Sequence, residues 1–448
     1  GLTDCMKRGD AAAPLLFSDP AKIPSGFYAE GLAACCAHSL ARRGDFRTRD
    51  AGNLLFPEED TMKYTTTVTD YLTWRGDIPF SVDPFNEVDN LVLCIISYLD
   101  FSRFPELLTR NPKEAAALED ICARLTEADD QLGLSQLSYI PVARQAAACE
   151  RFAGTRMFAF EDRSDAQTQF AAVSFLLPDK SVFVAFRGTD TSLVGWKEDF
   201  NMSYLEAVPA QVRAAEYTAE IARVCRWHKL RIGGHSKGGN LAAWAGLHLP
   251  RKVYDRLMDV YNNDGPGFNR SMTELPEYAL LREKMHTFIP ESSIVGVLLE
   301  HCEDYTVIAS TAKSIMQHEA LSWCTERNRF IHLEERSALG RRSDDVLRDW
   351  VGSMTPRERK EFTDAFFNIL SMGGKAKTLD DVQEMGLGGA VALVKEFAGS
   401  DEKTRRILTE VFKRLAVDIG EEMASSAQDG LKQAKGFLKN IGRKKSDI

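Results

Sequence analysis

The fold is decided by residues 230–239, which read LRIGGHSKGG. Residues 230–233 are predicted to form a short β-strand. An Ala-rich segment, residues 238–249, predicts a helix that ends at Pro250. Between the two stands a G-x-S-x-G pentapeptide centred on Ser236, and its small glycines allow a tight strand-to-helix turn.

A strand, a turn and a helix are the context in which this pentapeptide carries a nucleophilic serine. The alternatives are a plain turn or a glycine-rich phosphate loop. A phosphate loop requires the order Gly-Lys-Ser/Thr, whereas the order here is Ser236-Lys237-Gly238. The phosphate loop is therefore excluded, and we predict Ser236 as the nucleophile.

Acyl transfer also needs two backbone N–H donors that point at one oxygen. The residue after the nucleophile, Lys237, supplies one of them. Thr189 follows the strand predicted over residues 181–186 and is our second candidate, with a hydroxyl that could add a third donor. The alternative for Thr189 is an ordinary turn at the end of a strand.

A serine nucleophile needs a histidine base. His286 and His332 lie in strand-like runs, where a packed structural histidine is favoured, and His301 ends an apolar helix. His318 lies in a loop after the last strong strand, from which an imidazole can reach over the sheet edge. We therefore predict that His318 is the base.

Two residues are candidates for the acid that orients the base. Asp264 and Glu291 each follow a predicted strand, over residues 257–263 and 285–289. The carboxyl ends of such strands collect functional groups in α/β sheets. Asp264 is favoured because it stands in a polar, glycine-rich loop, and Glu291 stays open as the alternative acid.

The chain alternates predicted strands and helices after residue 157, which indicates an α/β protein with a mainly parallel sheet flanked by helices. Residues 62–336 are the predicted hydrolase domain, with a helix expected at 113–126. Residues 1–61 are predicted to be a poorly structured extension that results from a mispredicted start of the protein. Residues 337–448 are predicted to form a helical accessory region, in which a helix starts at Thr355.

Composition excludes several classes of protein. The net charge of −9 argues against a nucleic-acid partner, and the chain has no apolar run of about 18 residues to span a bilayer. Nine scattered cysteines without a C-x-x-C pair indicate reduced thiols and a cytoplasmic location. The proposed chemistry needs no metal or organic cofactor.

Two groups of motifs carry a family resemblance. The first group resembles the core of the class-three (fungal-type) lipases and consists of VAFRGT at 184–189, Trp196, Asp199 and GHSKGG at 234–239. Residues 62 to about 330 resemble a bacterial family of uncharacterised lipase-like α/β hydrolases more closely. The motifs of that family are DYLTWRGD at 70–77, FNEVD at 85–89, NDGPGF at 263–268 and QH at 317–318.

The resemblance implies an α/β-hydrolase fold with Ser236 as nucleophile, His318 as base, and Thr189 with Lys237 at the oxyanion hole. One stretch departs from the class-three pattern, because serine stands in residues 291–296 where the acid aspartate is expected. The run DGPGF at 264–268 instead resembles the pancreatic-type lipases, whose acid follows the earlier strand.

These observations lead to the hypothesis of a serine hydrolase that cleaves carboxylic, lipid-type esters through an acyl-enzyme. The alternative is a non-catalytic lipase-like scaffold that binds partners through its helical region. A further hypothesis is that the basic C-terminus makes a weak contact with an anionic membrane. The favoured alternative is that it is the solvated end of a helix. The basic residues there are Lys432, Lys435, Lys439, Arg443, Lys444 and Lys445.

Overall fold

The computed structural model describes residues 64–126, 134–164, 168–189, 193–337 (without 294, 298 and 300) and 355–370. The α-helices in these ranges are α1 (Val68–Arg75), α2 (Glu87–Ile96), α3 (Leu118–Ala123), α4 (Leu134–Ala148), α5 (Leu193–Asn201), α6 (Pro209–Val224), α7 (Lys237–Leu247), α8 (Arg251–Tyr254), α9 (Arg270–Thr273), α10 (Pro276–Arg282) and α11 (Pro356–Leu370). Short 3₁₀-helices lie at Pro105–Leu108, Pro112–Glu114, Glu150–Phe152, Val295–Val297, Ser314–His318 and Ala320–Ser322.

The strands of the described residues are β1 (Ala116–Ala117), β2 (Arg156–Ser164), β3 (Gln169–Leu176), β4 (Ser181–Phe186), β5 (Lys229–His235), β6 (Leu257–Asn263), β7 (Met285–Pro290), β8 (Tyr305–Ile308), β9 (Thr325–Glu326), β10 (Arg329–Phe330) and β11 (His332–Leu333). Nine of them form one sheet in the order β1-β2-β3-β4-β5-β6-β7-β8-β11, and β9 pairs with β10 separately.

The predicted fold class, an α/β-hydrolase fold, is confirmed by this sheet and by the helices that flank it. Strands β4 to β8 are parallel and form its centre. The antiparallel strands β1 to β3 and β11 extend it at the two edges. The parallel centre therefore directs the carboxyl ends of five strands toward one side.

Both faces of the sheet are buried, as strand β4 illustrates. Phe183 and Ala185 face a core layer that includes residues of α2 and α4, whereas Val182, Val184 and Phe186 face a layer that includes residues of α6 and α7. Because successive side chains of a strand alternate between its faces, a strand covered on both sides reads as a continuous apolar run.

The predicted helix at 113–126 is only partly correct. Helix α3 covers Leu118–Ala123, but Ala116 and Ala117 pair with Met157 and Arg156 of β2 as a short edge strand. The Ala-rich sequence favours a helix locally. The exposed edge of β2 offers backbone hydrogen bonds that only the folded sheet supplies, so tertiary pairing overrides the local preference.

A buried ion pair anchors the helices that precede the sheet. Arg151 Nε and Nη2 donate to the two carboxylate oxygens of Asp89, at 2.7 and 2.6 Å, and both side chains are fully buried. Asp89 also accepts from the Tyr71 hydroxyl at 2.8 Å and from the backbone N–H of the N-cap residue Asn86 at 2.9 Å. The guanidinium further donates to the backbone carbonyls of Ile78, Asp83 and Pro84. Two of the sequence motifs, at 70–77 and 85–89, therefore meet at this pair.

Several predictions concern residues outside the described ranges. The extension at 1–61, the basic C-terminus and most of the helical region 337–448 lie there. Helix α11 is the described part of that region, and Thr355 and Glu358 form the capping box that the sequence indicates. No helix among the described residues is long and apolar enough to span a membrane.

Replacing Arg151 by methionine tests the buried pair. We expect Arg151→Met to lower the free energy of unfolding by about 3–5 kcal/mol, because it leaves the Asp89 carboxylate buried without its cation. Urea denaturation followed by circular dichroism measures this change. The matched control is Arg124→Met at an arginine whose side chain is 53% exposed and paired with Glu106, which should cost less than about 1 kcal/mol. An equal loss in the two variants would contradict the anchoring role.

Candidate active site

Ser236 occupies a strained turn at the end of β5. Its φ and ψ angles are 60° and −134°, a left-handed region that non-glycine residues rarely adopt, and α7 begins at the next residue. A Cβ atom on Gly234 would lie 2.1 Å from the Gly238 carbonyl, and one on Gly238 would lie 2.2 Å from the Phe186 carbonyl oxygen. Gly234 is therefore required where β5 meets α7, and Gly238 is required where α7 passes the end of β4.

The neighbouring strand holds this turn in place. The Ser236 N–H donates to the Asn263 carbonyl at 2.9 Å, and the Ser236 carbonyl accepts from the Gly239 N–H at 2.8 Å. The Asn263 side chain donates to the Gly234 carbonyl at 3.0 Å and forms two hydrogen bonds with the Asn90 side chain of α2. The serine thus stands at the amino end of α7, where the helix dipole favours negative charge.

His318 and Asp264 lie in direct contact. The His318 Nδ1 atom is 2.6 Å from Asp264 Oδ2, and Asp264 is fully buried at the end of β6. The other acid candidate, Glu291, follows β7, where its backbone bonds to Ile308 and Ser337. Of the two acids, Asp264 is therefore the one that the structure pairs with the predicted base.

Ser293 supports the same carboxylate. Its hydroxyl donates to Asp264 Oδ2 at 2.5 Å, and it is itself buried. Gly296 passes so close that a Cβ atom there would lie 2.2 Å from Asp264 Oδ1. Ser293 was not predicted as a site residue, although it lies in the stretch that departs from the class-three pattern.

His235 holds the loop of His318 against the elbow. Its Nε2 atom is 2.8 Å from the His318 carbonyl oxygen, its Nδ1 atom is 2.9 Å from the Tyr98 hydroxyl, and the two imidazole rings are 4.7 Å apart. Burial holds the pKa of His235 well below its ordinary value, so the ring is neutral near pH 7. A neutral ring that donates from Nε2 to the carbonyl accepts at Nδ1 from Tyr98. No sequence spacing indicates this contact.

The loop after β4 passes beside the serine. A Cβ atom on Gly188 would lie 3.0 Å from the Ser236 Cβ and 2.6 Å from the His235 carbonyl oxygen. The Thr189 hydroxyl, which we expected as a third donor to the oxyanion, donates instead to Asp199 Oδ2 at 2.5 Å. The hydroxyl is therefore engaged by a carboxylate, and the prediction of an oxyanion donor applies to the backbone N–H of Thr189 alone.

The remaining histidine candidates have other acidic neighbours. His286 lies in β7 and His332 in β11, as the strand-like runs predict. The observed pairs are His286 with Asp259, His301 with Glu303 and His332 with Glu87. Within the described ranges, no group of three or more His, Cys, Asp or Glu side chains is arranged to hold a metal ion.

The strand order and the elbow define the class of this protein as an α/β-hydrolase fold. Residues 146–368 match the model of a family described as Mbeg1-like, which is lipase-like. The predicted resemblance to a lipase-like family is therefore confirmed. No curated protein sequence matches the chain.

Solved structures of fungal lipases are distantly similar. Rhizomucor miehei lipase in its propeptide complex is 13% identical with a TM-score of 0.29, and the match covers 37% of this chain and 64% of that chain. Lipase II from Rhizopus niveus is 16% identical with a TM-score of 0.29, over 37% and 70% of the two chains. Lip2 lipase from Yarrowia lipolytica is 14% identical with a TM-score of 0.30, over 54% and 90%.

The strain at the elbow can be measured directly. We expect Ser236→Gly to be more stable than Ser236→Ala by about 1 kcal/mol, because glycine removes about 1–3 kcal/mol of backbone strain and loses about 0.5–1 kcal/mol of additional chain entropy on folding. Urea denaturation of the two variants gives the difference, since both lack the hydroxyl. An alanine variant that is as stable as the glycine variant would show that the turn is unstrained.

Proposed function

We propose that this protein is a serine hydrolase that cleaves carboxylic, lipid-type esters through an acyl-enzyme on Ser236. The contact of 2.6 Å between His318 Nδ1 and Asp264 Oδ2 carries the proposal, because it orients the imidazole of a residue whose backbone carbonyl is bonded to His235, the neighbour of the strained serine. The match to the Mbeg1-like family supports a lipase-type hydrolase in general terms.

The mechanism follows from the roles of these groups. Ser236 Oγ attacks the acyl carbon of the ester while His318 Nε2 accepts its proton, and Asp264 stabilises the imidazolium that forms. The imidazolium then protonates the leaving alcohol. In the second half of the reaction a water molecule, deprotonated by His318, attacks the acyl-enzyme, and the imidazolium returns this proton to Ser236 Oγ as the bond to the acyl carbon breaks and the carboxylic acid leaves.

The negative oxygen of each tetrahedral intermediate needs hydrogen-bond donors at the elbow. The Lys237 N–H lies in the first turn of α7, where N–H groups have no partner within the helix. The Thr189 N–H is the second donor that we propose, because its loop passes beside Ser236. Donors held rigidly before the reaction stabilise the transition state more than the substrate.

Removing the serine hydroxyl tests the nucleophile. We expect Ser236→Ala to lower kcat for p-nitrophenyl butyrate at least about 10³-fold, since no acyl-enzyme can form. A fluorophosphonate probe should label the wild type and fail to label this variant. The matched control is Ser102→Ala, at an exposed serine that bonds to Asp100, which should keep both activity and labelling. Equal labelling of wild type and Ser236→Ala would refute the proposal.

A second experiment separates the two acid candidates. We expect Asp264→Asn to lower kcat about 10³- to 10⁴-fold, because the amide no longer holds His318 in the required tautomer. The matched variant Glu291→Gln should change kcat less than about 3-fold, since Asp264 still orients the imidazole. Steady-state kinetics on the same ester measure both effects. A greater loss in Glu291→Gln than in Asp264→Asn would reverse the assignment of the acid.

A further inference from the structure

A buried lysine lies directly behind the proposed oxyanion hole. The Lys237 Nζ atom is 2.6 Å from Glu198 Oε2, and both side chains are only 1% exposed. Removing an ammonium and a carboxylate from water is costly unless the pair is well bonded. A lysine that served only to end a turn would keep its ammonium in solvent. The burial of the Lys237 side chain therefore needs a specific explanation.

Glu198 is held rigidly on the other side. Its Oε2 atom accepts from the Gln169 N–H of β3 at 3.0 Å, and its Oε1 atom accepts from the Ala210 N–H of α6 at 3.1 Å. Two different elements therefore position this carboxylate. Because the carboxylate is anchored, it determines where the Lys237 ammonium stands.

The ammonium also faces the carboxylate that binds Thr189. Lys237 Nζ is 3.7 Å from Asp199 Oδ1, an oxygen that is buried and has no hydrogen bond. The other oxygen, Oδ2, accepts from the Thr189 hydroxyl. The side chain of Lys237 thus reaches, through Asp199, the loop that carries the second proposed donor.

We propose that the side chain of Lys237 is a positioning residue: its ammonium, anchored by Glu198, keeps the Asp199 carboxylate charged and directed at Thr189. One residue then aligns both sides of the oxyanion hole, because Lys237 supplies one donor through its backbone and holds the other through its side chain. This inference rests on the proposed ester hydrolysis.

The charges around Asp199 predict a pH dependence of activity that tests the positioning role of Lys237. Burial raises the pKa of Asp199 to about 6, Lys237 and the Thr189 hydroxyl counteract the rise, and the Glu198 charge adds to it. His318 and the Tyr98 hydroxyl are the other titratable groups that interact with it. An ionised Asp199 is the better acceptor for Thr189. Activity should therefore fall as the pH decreases through this range.

The acid limb of the pH profile is the range in which kcat/KM falls as the pH decreases. Two substitutions should shift this limb in opposite directions. Lys237→Met removes the opposite charge, so we expect the limb of the kcat/KM profile to move up by about one pH unit. We expect activity near neutral pH to fall about 10-fold, mainly in kcat. Glu198→Gln removes the like charge and frees the ammonium for Asp199, so the limb should move down. Hydrolysis of p-nitrophenyl butyrate from about pH 4 to pH 9 gives the profiles.

Two controls connect these shifts to Asp199. Lys197→Met makes the same change one residue earlier, at a half-exposed lysine that pairs with Asp364, and should leave the limb in place. In an Asp199→Asn background, neither Lys237→Met nor Glu198→Gln should move the limb further. Circular dichroism establishes that each variant is folded.

The outcomes separate this inference from the proposed function. Three results overturn the role of Lys237 and leave Ser236-dependent hydrolysis intact. They are acid limbs that do not move, shifts of both variants in the same direction, and shifts that persist in the Asp199→Asn background. If Lys237→Met does not fold, Lys237→Gln, which removes the charge but keeps a hydrogen-bond donor for Glu198, takes its place: an upward shift supports the inference, and an unchanged or downward shift overturns it. If Ser236→Ala hydrolyses the ester as fast as the wild type, both proposals fall.

Discussion

The backbone turn at Ser236 is the constraint on which the rest of the structure depends. A positive φ at a serine is unfavourable, and it persists only because the surroundings determine the backbone on both sides. Strand β6 bonds to the serine N–H, Gly234 lets β5 meet α7 without a clash, and Gly238 does the same where α7 passes β4. The same turn places His235 so that its imidazole bonds to the backbone carbonyl of His318, the candidate base.

The helices before the sheet contribute directly to this site. Asn90 of α2 holds Asn263, which in turn bonds to the elbow, and Tyr98 bonds to His235, which holds the loop of His318. The buried pair of Arg151 with the motif at 85–89 anchors α2 at its amino end. The N-terminal motifs of the family resemblance therefore support the elbow indirectly, because they anchor the helix that carries Asn90.

The candidate acid follows a different strand from the one after which the class-three pattern has its aspartate. Asp264 follows β6, whereas Ser293 lies after β7, in the stretch where the class-three pattern expects an aspartate. The two meet because the carboxyl ends of neighbouring parallel strands lie side by side. The hydroxyl of Ser293, after β7, donates to the carboxylate of Asp264, after β6, and His318 pairs with that carboxylate.

The sequence by itself determined the features that depend on neighbouring residues: the strand, turn and helix around Ser236, the α/β alternation, and the loop that carries His318. Tertiary structure decided the rest. It paired His318 with Asp264 rather than Glu291, turned the Thr189 hydroxyl toward a carboxylate, and buried the Lys237 side chain. Such contacts join residues far apart in the chain, and their energies depend on burial and on charges that no local pattern encodes.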